Sequence, residues 1–157
     1  MRTLILIFTG LLLASQVQAL QIDRVTTVSD DQGGTLTISS QGSAHADGGG
    51  SSASLIANAF SPRGEGQISA DLQRERSRTA EDLTATYNGT ATLSGTDADG
   101  APVTIDIELI DVTVTREGQG PELSGSVIVN GTAYDASELP ARARAALARL
   151  LRLFGFA

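Results

Sequence analysis

The feature that most constrains this chain is a hydrophobic alternation with a period of two, running from Leu20 to about Tyr134. Residues two apart share a face in an extended strand, so the pattern selects β-structure with one side buried. Its clearest stretch is Val103 to Thr115. There Val103, Ile105, Ile107 and Leu109 alternate, and Ile110, Val112 and Val114 resume in the opposite phase. One residue has been inserted into the pattern. A β-bulge near Leu109-Ile110, or a strand crossing between sheets at a corner, would turn both halves inward, and we expect the bulge.

The other strands follow from the same period and from turn chemistry. Ile22 to Ser29 is expected to pair with Thr35 to Ser40 across Asp30-Asp31-Gln32-Gly33-Gly34, whose residues tolerate left-handed backbone angles. Ser43 to Ser54 carries too little side chain to pack, so it reads as a flexible loop around Asp47-Gly48-Gly49-Gly50, and the order of residues 43–66 is left open. Leu55 to Phe60 is a short apolar run ending at Ser61-Pro62-Arg63-Gly64. Gln67 to Asp82 reads as a strand in which Arg74, Arg76 and Arg78 share a face with Leu72, as on a solvated edge running beyond the core. Within Leu83 to Gly95, a tight turn at Asn88-Gly89 would set apolar residues against threonines, so one continuous strand bent at Gly89 is expected. At Asn130-Gly131 a two-residue turn instead pairs Val127 with Tyr134 and Val129 with Thr132, and a hairpin fits.

After Tyr134 the period changes to that of a helix, expected over about 137–154. Asp135 or Ser137 can cap it, Pro140 is tolerated in the first turn, and Gly155 ends it. At a hundred degrees per residue, Leu139, Ala143, Ala146, Leu147, Leu150, Leu153 and Phe154 form one stripe, with Arg142, Arg144, Arg149 and Arg152 away from it. A sheet with one apolar face needs such a cover. The expected fold is therefore mainly β, an antiparallel sandwich or partly open barrel with this amphipathic helix packed on one face.

Residues 1–19 read as a signal peptide: Met1-Arg2-Thr3, an apolar run from Leu4 to Leu13, and Val17-Gln18-Ala19 as the cleavage site. The remainder, 20–157, is expected to be a single domain in a periplasm or outside the cell. There is no cysteine, so neither disulfides, zinc-thiolate sites nor thiol catalysis enter. Leu, Ile, Val and Phe together supply 31 of the residues after Ala19, just above the roughly 20% level associated with disorder, and the periodicity decides for a folded chain. Every basic residue is arginine, and with Arg2 in the leader ten remain against eighteen carboxylates. An acidic chain with few aromatic residues is a poor partner for nucleic acid.

Five sets of residues could carry chemistry. Gly95-Thr96-Asp97-Ala98-Asp99-Gly100, with Asp106, resembles part of a calcium loop: Asp97, Asp99 and Asp106 fall at the third, fifth and twelfth places, but Gly95 supplies no first ligand, so an ordinary Asp-Gly turn is favoured and no cofactor is expected beyond that calcium candidate. Arg142, Arg149, Arg152, Phe154 and Phe156 form a basic, aromatic-ended surface for a membrane or partner. His45 is the only histidine and reads as a solvated loop residue. Asp106 and Glu108 share the polar face of a strand and are the carboxylates a hydrolase would use. Asn88-Gly89-Thr90 and Asn130-Gly131-Thr132 match the glycosylation acceptor pattern and serve equally as bend or turn residues. No catalytic set is complete. The leading expectation is an exported, non-enzymatic binding or structural domain whose partner is a protein, glycan or envelope component. A peripheral membrane or lipid-associated protein acting through the C-terminal helix is the alternative, followed by a carboxylate-dependent hydrolase.

Overall fold

The computed structural model describes residues 20–45, 48–62, 64, 66–97, 99–117 and 120–156. The signal-peptide expectation for 1–19 lies outside them. Eight strands follow in order: β1 (Leu20–Ser29), β2 (Thr35–His45), β3 (Gly48–Phe60), β4 (Gln67–Arg78), β5 (Leu83–Thr96), β6 (Pro102–Glu117), β7 (Gly120–Val129) and β8 (Thr132–Asp135). A 3-10 turn (Ala136–Glu138), helix α1 (Ala141–Leu153) and a second 3-10 turn (Phe154–Phe156) complete the chain. The strands form one antiparallel meander, β1-β2-β3-β4-β5-β6-β7-β8, with β1 and β8 at its edges. The expected β fold with a helix on one face is thus present, as an open sheet and not as two stacked ones.

Alternation sorts the side chains. Leu36, Leu55, Ile68, Leu72 and Val112 are fully buried on the face that carries α1, here the inner face. The outer face is mostly Thr, Ser and acidic residues, with hydroxyl ladders such as Thr86 to Thr113 at 3.0 Å. A membrane barrel inverts this pattern, turning its apolar residues outward. The helix stripe closes the core: Ala143, Ala146, Leu147, Leu150, Leu153 and Phe154 are all buried with the inner strand residues in one cluster.

The slip in β6 is the expected bulge. Leu109 and Val112 both face inward opposite Gly89 and Tyr87, so one extra residue is accommodated between them. Asp111 carries it at φ 50°. Ile110, grouped in the sequence with the second inward set, is instead 41% exposed, because the extra residue rotates it outward before Val112 returns. Asn88 fastens the bulge: its Oδ1 accepts from the Asp111 amide at 2.7 Å and its Nδ2 donates to the Asp111 carboxylate at 3.1 Å. Gly89 keeps β5 continuous at φ 123°, where an added Cβ would lie 2.2 Å from the Asp71 carbonyl oxygen; a residue other than glycine would be strained there. At Asn130-Gly131 both residues have positive φ, and Val127 pairs with Tyr134 and Val129 with Thr132, as a tight hairpin requires.

Three expectations need correction. Ser43 to His45 and Gly48 to Ser54 are strand and not loop, since β2 runs to His45 and β3 begins at Gly48, each paired residue by residue; the part of that expectation that falls on residues 46–47 lies outside the described residues. Glycine and serine keep their backbone donors and acceptors, and a strand with a neighbour on both sides satisfies them without side-chain packing. At Gly49 small size is needed, because a Cβ would lie 2.6 Å from the Ser43 carbonyl oxygen. Nor is β4 a solvated edge: it pairs with β3 and β5 along its arginine half as well. Finally, the regular helix starts at Ala141, after Pro140. Asp135 caps the preceding 3-10 turn by accepting from the Ser137 hydroxyl and amide, which hold its carboxyl below the ordinary value.

Candidate functional site

The register places inner-face side chains in rows that cross the sheet. One row reads Thr26, Ile38, Leu55, Leu72, Gly89, Leu109 and Val127 from β1 to β7, and it belongs to the core beneath α1. The next reads Arg24, Ser40, Ala53, Arg74, Tyr87 and Val112. The one beyond it reads Ile22, Gly42, Ser51, Arg76, Ala85, Val114 and Leu123. In the last, Ala44, Gly49, Arg78, Leu83 and Arg116 lie side by side. Aliphatic residues on β2, β3 and β4 therefore give way together to small residues and arginines as the strands run past the C-terminal end of α1.

Phe154 marks the boundary. Its ring packs tilted against Tyr87, centroids 5.7 Å apart, and the Arg74 guanidinium sits 4.9 Å over it, a cation–π arrangement. Burial pushes the Arg74 guanidinium below its ordinary value; Tyr87 opposes this and Arg76 adds to it. Its Nε is buried without a hydrogen-bond partner. Beyond it the sheet opens into a cleft of about 570 Å³, lined by Ile22, Gly42, Gly49, Arg76, Arg78 and Leu83 among others.

The charge distribution on this face is one-sided. Arg24, Arg74, Arg76, Arg78 and Arg116 all occupy inner-face positions, whereas no described carboxylate occupies an inner-face strand position. Acidic residues such as Asp23, Asp71, Glu75, Asp106 and Glu122 alternate outward, and the rest sit mainly in turns. Among the described residues no carboxylate pairs with Arg76 or Arg78. Arginines two apart on one strand are separated by about 7 Å along the chain. Each such pair repels by roughly 0.6 kcal/mol in bulk water, and more where the dielectric is lower. A bound anion would turn that repulsion into attraction, since guanidinium forks match carboxylate and phosphate oxygens.

The residues singled out in the sequence are distributed differently. Asp97 is occupied with its own turn, its Oδ1 accepting from the amides of Asp99 at 3.0 Å and Ala101 at 2.9 Å. Asp106 lies on the outer face and accepts from Thr92 Oγ1 at 2.8 Å. Among the described residues no three His, Cys, Asp or Glu side chains gather to hold a metal ion. Glu108 shares that outer face. Arg142, Arg149 and Arg152 are exposed on α1, and the first two line, with Asp97, a second groove of about 460 Å³ between α1 and the β5–β6 hairpin. Phe154 leaves the proposed membrane surface, being 4% exposed, and the Phe156 side chain lies outside the described residues. With the apolar stripe buried in the core, α1 leaves arginines, alanines and the half-buried Leu151 toward the outside. No described helix is long and apolar enough to cross a membrane. His45 ends β2 as a paired residue at the rim of the cleft.

Sequence reasoning missed the cleft. The signal was present in Arg74-x-Arg76-x-Arg78, in phase with Ile68, Ala70 and Leu72; that phase puts the arginines on the inner face of an interior strand. Compared with known proteins, the chain matches no family model, no curated protein sequence and no solved structure.

Proposed function

We propose that this chain is an exported β-module that binds a ligand in the inner-face cleft and performs no chemistry on it. The observation that carries this reading is the half-covered inner face: α1 buries one end, and the same face continues into an open space of about 570 Å³, within the size range of small-molecule sites. The lining supports binding over catalysis. It offers arginines, backbone amides, serines and one histidine but no described carboxylate to serve as a base or to orient that histidine. Export rests on the character of residues 1–19.

The test is an amide-resonance titration of the processed protein with three apolar probes: neutral N-phenylnaphthylamine, anionic anilinonaphthalene sulfonate and a cationic alkylammonium. Saturable shifts from at least one probe, confined to Gly42, Gly49, Gly50 and their neighbours, support the reading. If no probe gives saturable shifts there, the cleft is not a binding site.

A further inference from the structure

We infer that the cleft accepts an anionic amphiphile, with its carboxylate or phosphate on Arg76 and Arg78 and its apolar body along Ile22. This rests on the binding reading above and adds the chemical class of ligand. In the row Ile22–Gly42–Ser51–Arg76, the two middle strands contribute only a hydrogen atom and a hydroxymethyl group. In the next row they contribute Ala44 and Gly49, with Arg78 beyond. The result is a trough with small residues for a floor. Strands lie about 4.8 Å apart, so its walls on β1 and β4 stand roughly 14 Å from one another.

The walls differ in kind. On β1, Ile22 is 52% exposed on the face that elsewhere forms the core. On β4, Arg76 and Arg78 point from the same face with no described carboxylate partner. Leu83, directly opposite Arg78 on β5, supplies a second apolar contact beside the charged wall. A molecule spanning the trough meets cations at one side and aliphatic carbon at the other. Neither a purely apolar nor a small, fully hydrated anionic ligand uses both, and because no carboxylate occupies an inner-face strand position among the described residues, the arginines of this face are unopposed on it despite an overall charge of −7.

The experiment is isothermal titration of the processed protein with decyl phosphate and decanoate below their micelle-forming concentrations, against decanol, decyltrimethylammonium and inorganic phosphate. Decyl phosphate and decanoate are expected to bind saturably, at least tenfold tighter than the other three. Arg76→Gln with Arg78→Gln should weaken decyl phosphate at least tenfold, and Ile22→Ser should weaken it several-fold without moving inorganic phosphate. Both changes are at exposed positions, and an unchanged amide spectrum verifies the fold. Decanol binding as tightly as decyl phosphate would overturn the anionic assignment while leaving a binding cleft. Inorganic phosphate binding equally well would overturn the amphiphile and leave a plain anion site. Binding that survives in the double arginine variant would also overturn the proposal, whereas no binding by any of the five would remove the cleft as a site.

Discussion

The two ends of the inner face are built on the same strands in the same register, yet one is dry and the other open. Under α1 the inward positions of β2, β3 and β4 are Leu36 and Ile38, Leu55 and Ala57, and Ile68, Ala70 and Leu72, all at most 9% exposed. Two residues further along each strand the inward positions are serine, glycine, alanine or arginine. Backbone pairing does not change across this boundary. The sheet is therefore set by the ladder and by glycine and bulge positions, and side-chain type decides only which part of it is filled. The covered end holds the fold, and the open end is free to be specialised.

The harshest way to break this comparison is to remove the cover. Leu147, Leu150, Leu153 and Phe154 are each at most 4% exposed, and at about 1.5–3 kcal/mol per buried side chain they account for roughly 6–12 kcal/mol. That is the size of the whole net stability of a typical domain, about 5–15 kcal/mol. A chain ending at Asp135 should lose its cooperative unfolding transition and its amide dispersion. If it stays folded and monomeric, α1 is not what closes the core.

A gentler perturbation compares one residue from each end. Leu72→Ala, at a position with 0% exposure, should cost about 2–5 kcal/mol in denaturant unfolding. Ser51→Ala, in the cleft floor, should stay within about 0.5 kcal/mol of the parent. Equal losses at the two sites would mean the open end also carries the fold.

What was legible in the sequence follows the same division. The apolar alternation located the β6 bulge, the unbroken β5 and the helix stripe, because a buried side chain on the wrong face is costly and the pattern must record it. The open end leaves no such record. Gly49 to Ser52 carries no apolar phase, so the sequence there reads as a loop although the backbone pairs on both sides. The arginines of β4 keep phase with Leu72, but their charge suggests a solvated edge, whereas the meander places three strands on one side of them and four on the other. Asn88 shows the same limit from another side: as a residue of an Asn-Gly pair it suggests a turn, and its bonds to Asp111 on β6 become visible only once the two strands are aligned.

A smaller effect separates the turns from the core. Asp30 accepts amide hydrogen bonds from Ser61, Gly34 and Gln32, tying the β1–β2 turn to the end of β3. The Ser61 amide foremost, then those of Gly34 and Gln32, hold its carboxyl below the ordinary value of 3.8, with desolvation opposing them. A folded-state pKa below the unfolded one contributes stability that is present above the unfolded value and is lost as pH falls through the folded one. Unfolding midpoints should therefore decline below pH 3.8. Asp30→Asn should lower the midpoint at neutral pH and flatten that decline. An unchanged acid limb in Asp30→Asn would place the pH sensitivity elsewhere, with Asp135 the next group to replace.

The smallest expected effect is the one that most sharpens the contrast. If Arg76 were part of what holds the sheet together, Arg76→Gln would destabilise it, as truncating a paired buried cation does. Arg76 instead faces like charges at Arg74 and Arg78 with no described carboxylate partner. Its removal should leave stability unchanged or raise it by at most about 0.5 kcal/mol at low salt, with any gain shrinking as ionic strength rises, because exposed charges are screened within about 10 Å at 0.1 M. A neutral or stabilising substitution at the centre of a cationic row is what a ligand site leaves behind when its charges are arranged for something outside the chain. A loss greater than about 1 kcal/mol, insensitive to salt, would return Arg76 to the structure and with it the argument that the open end is specialised for binding.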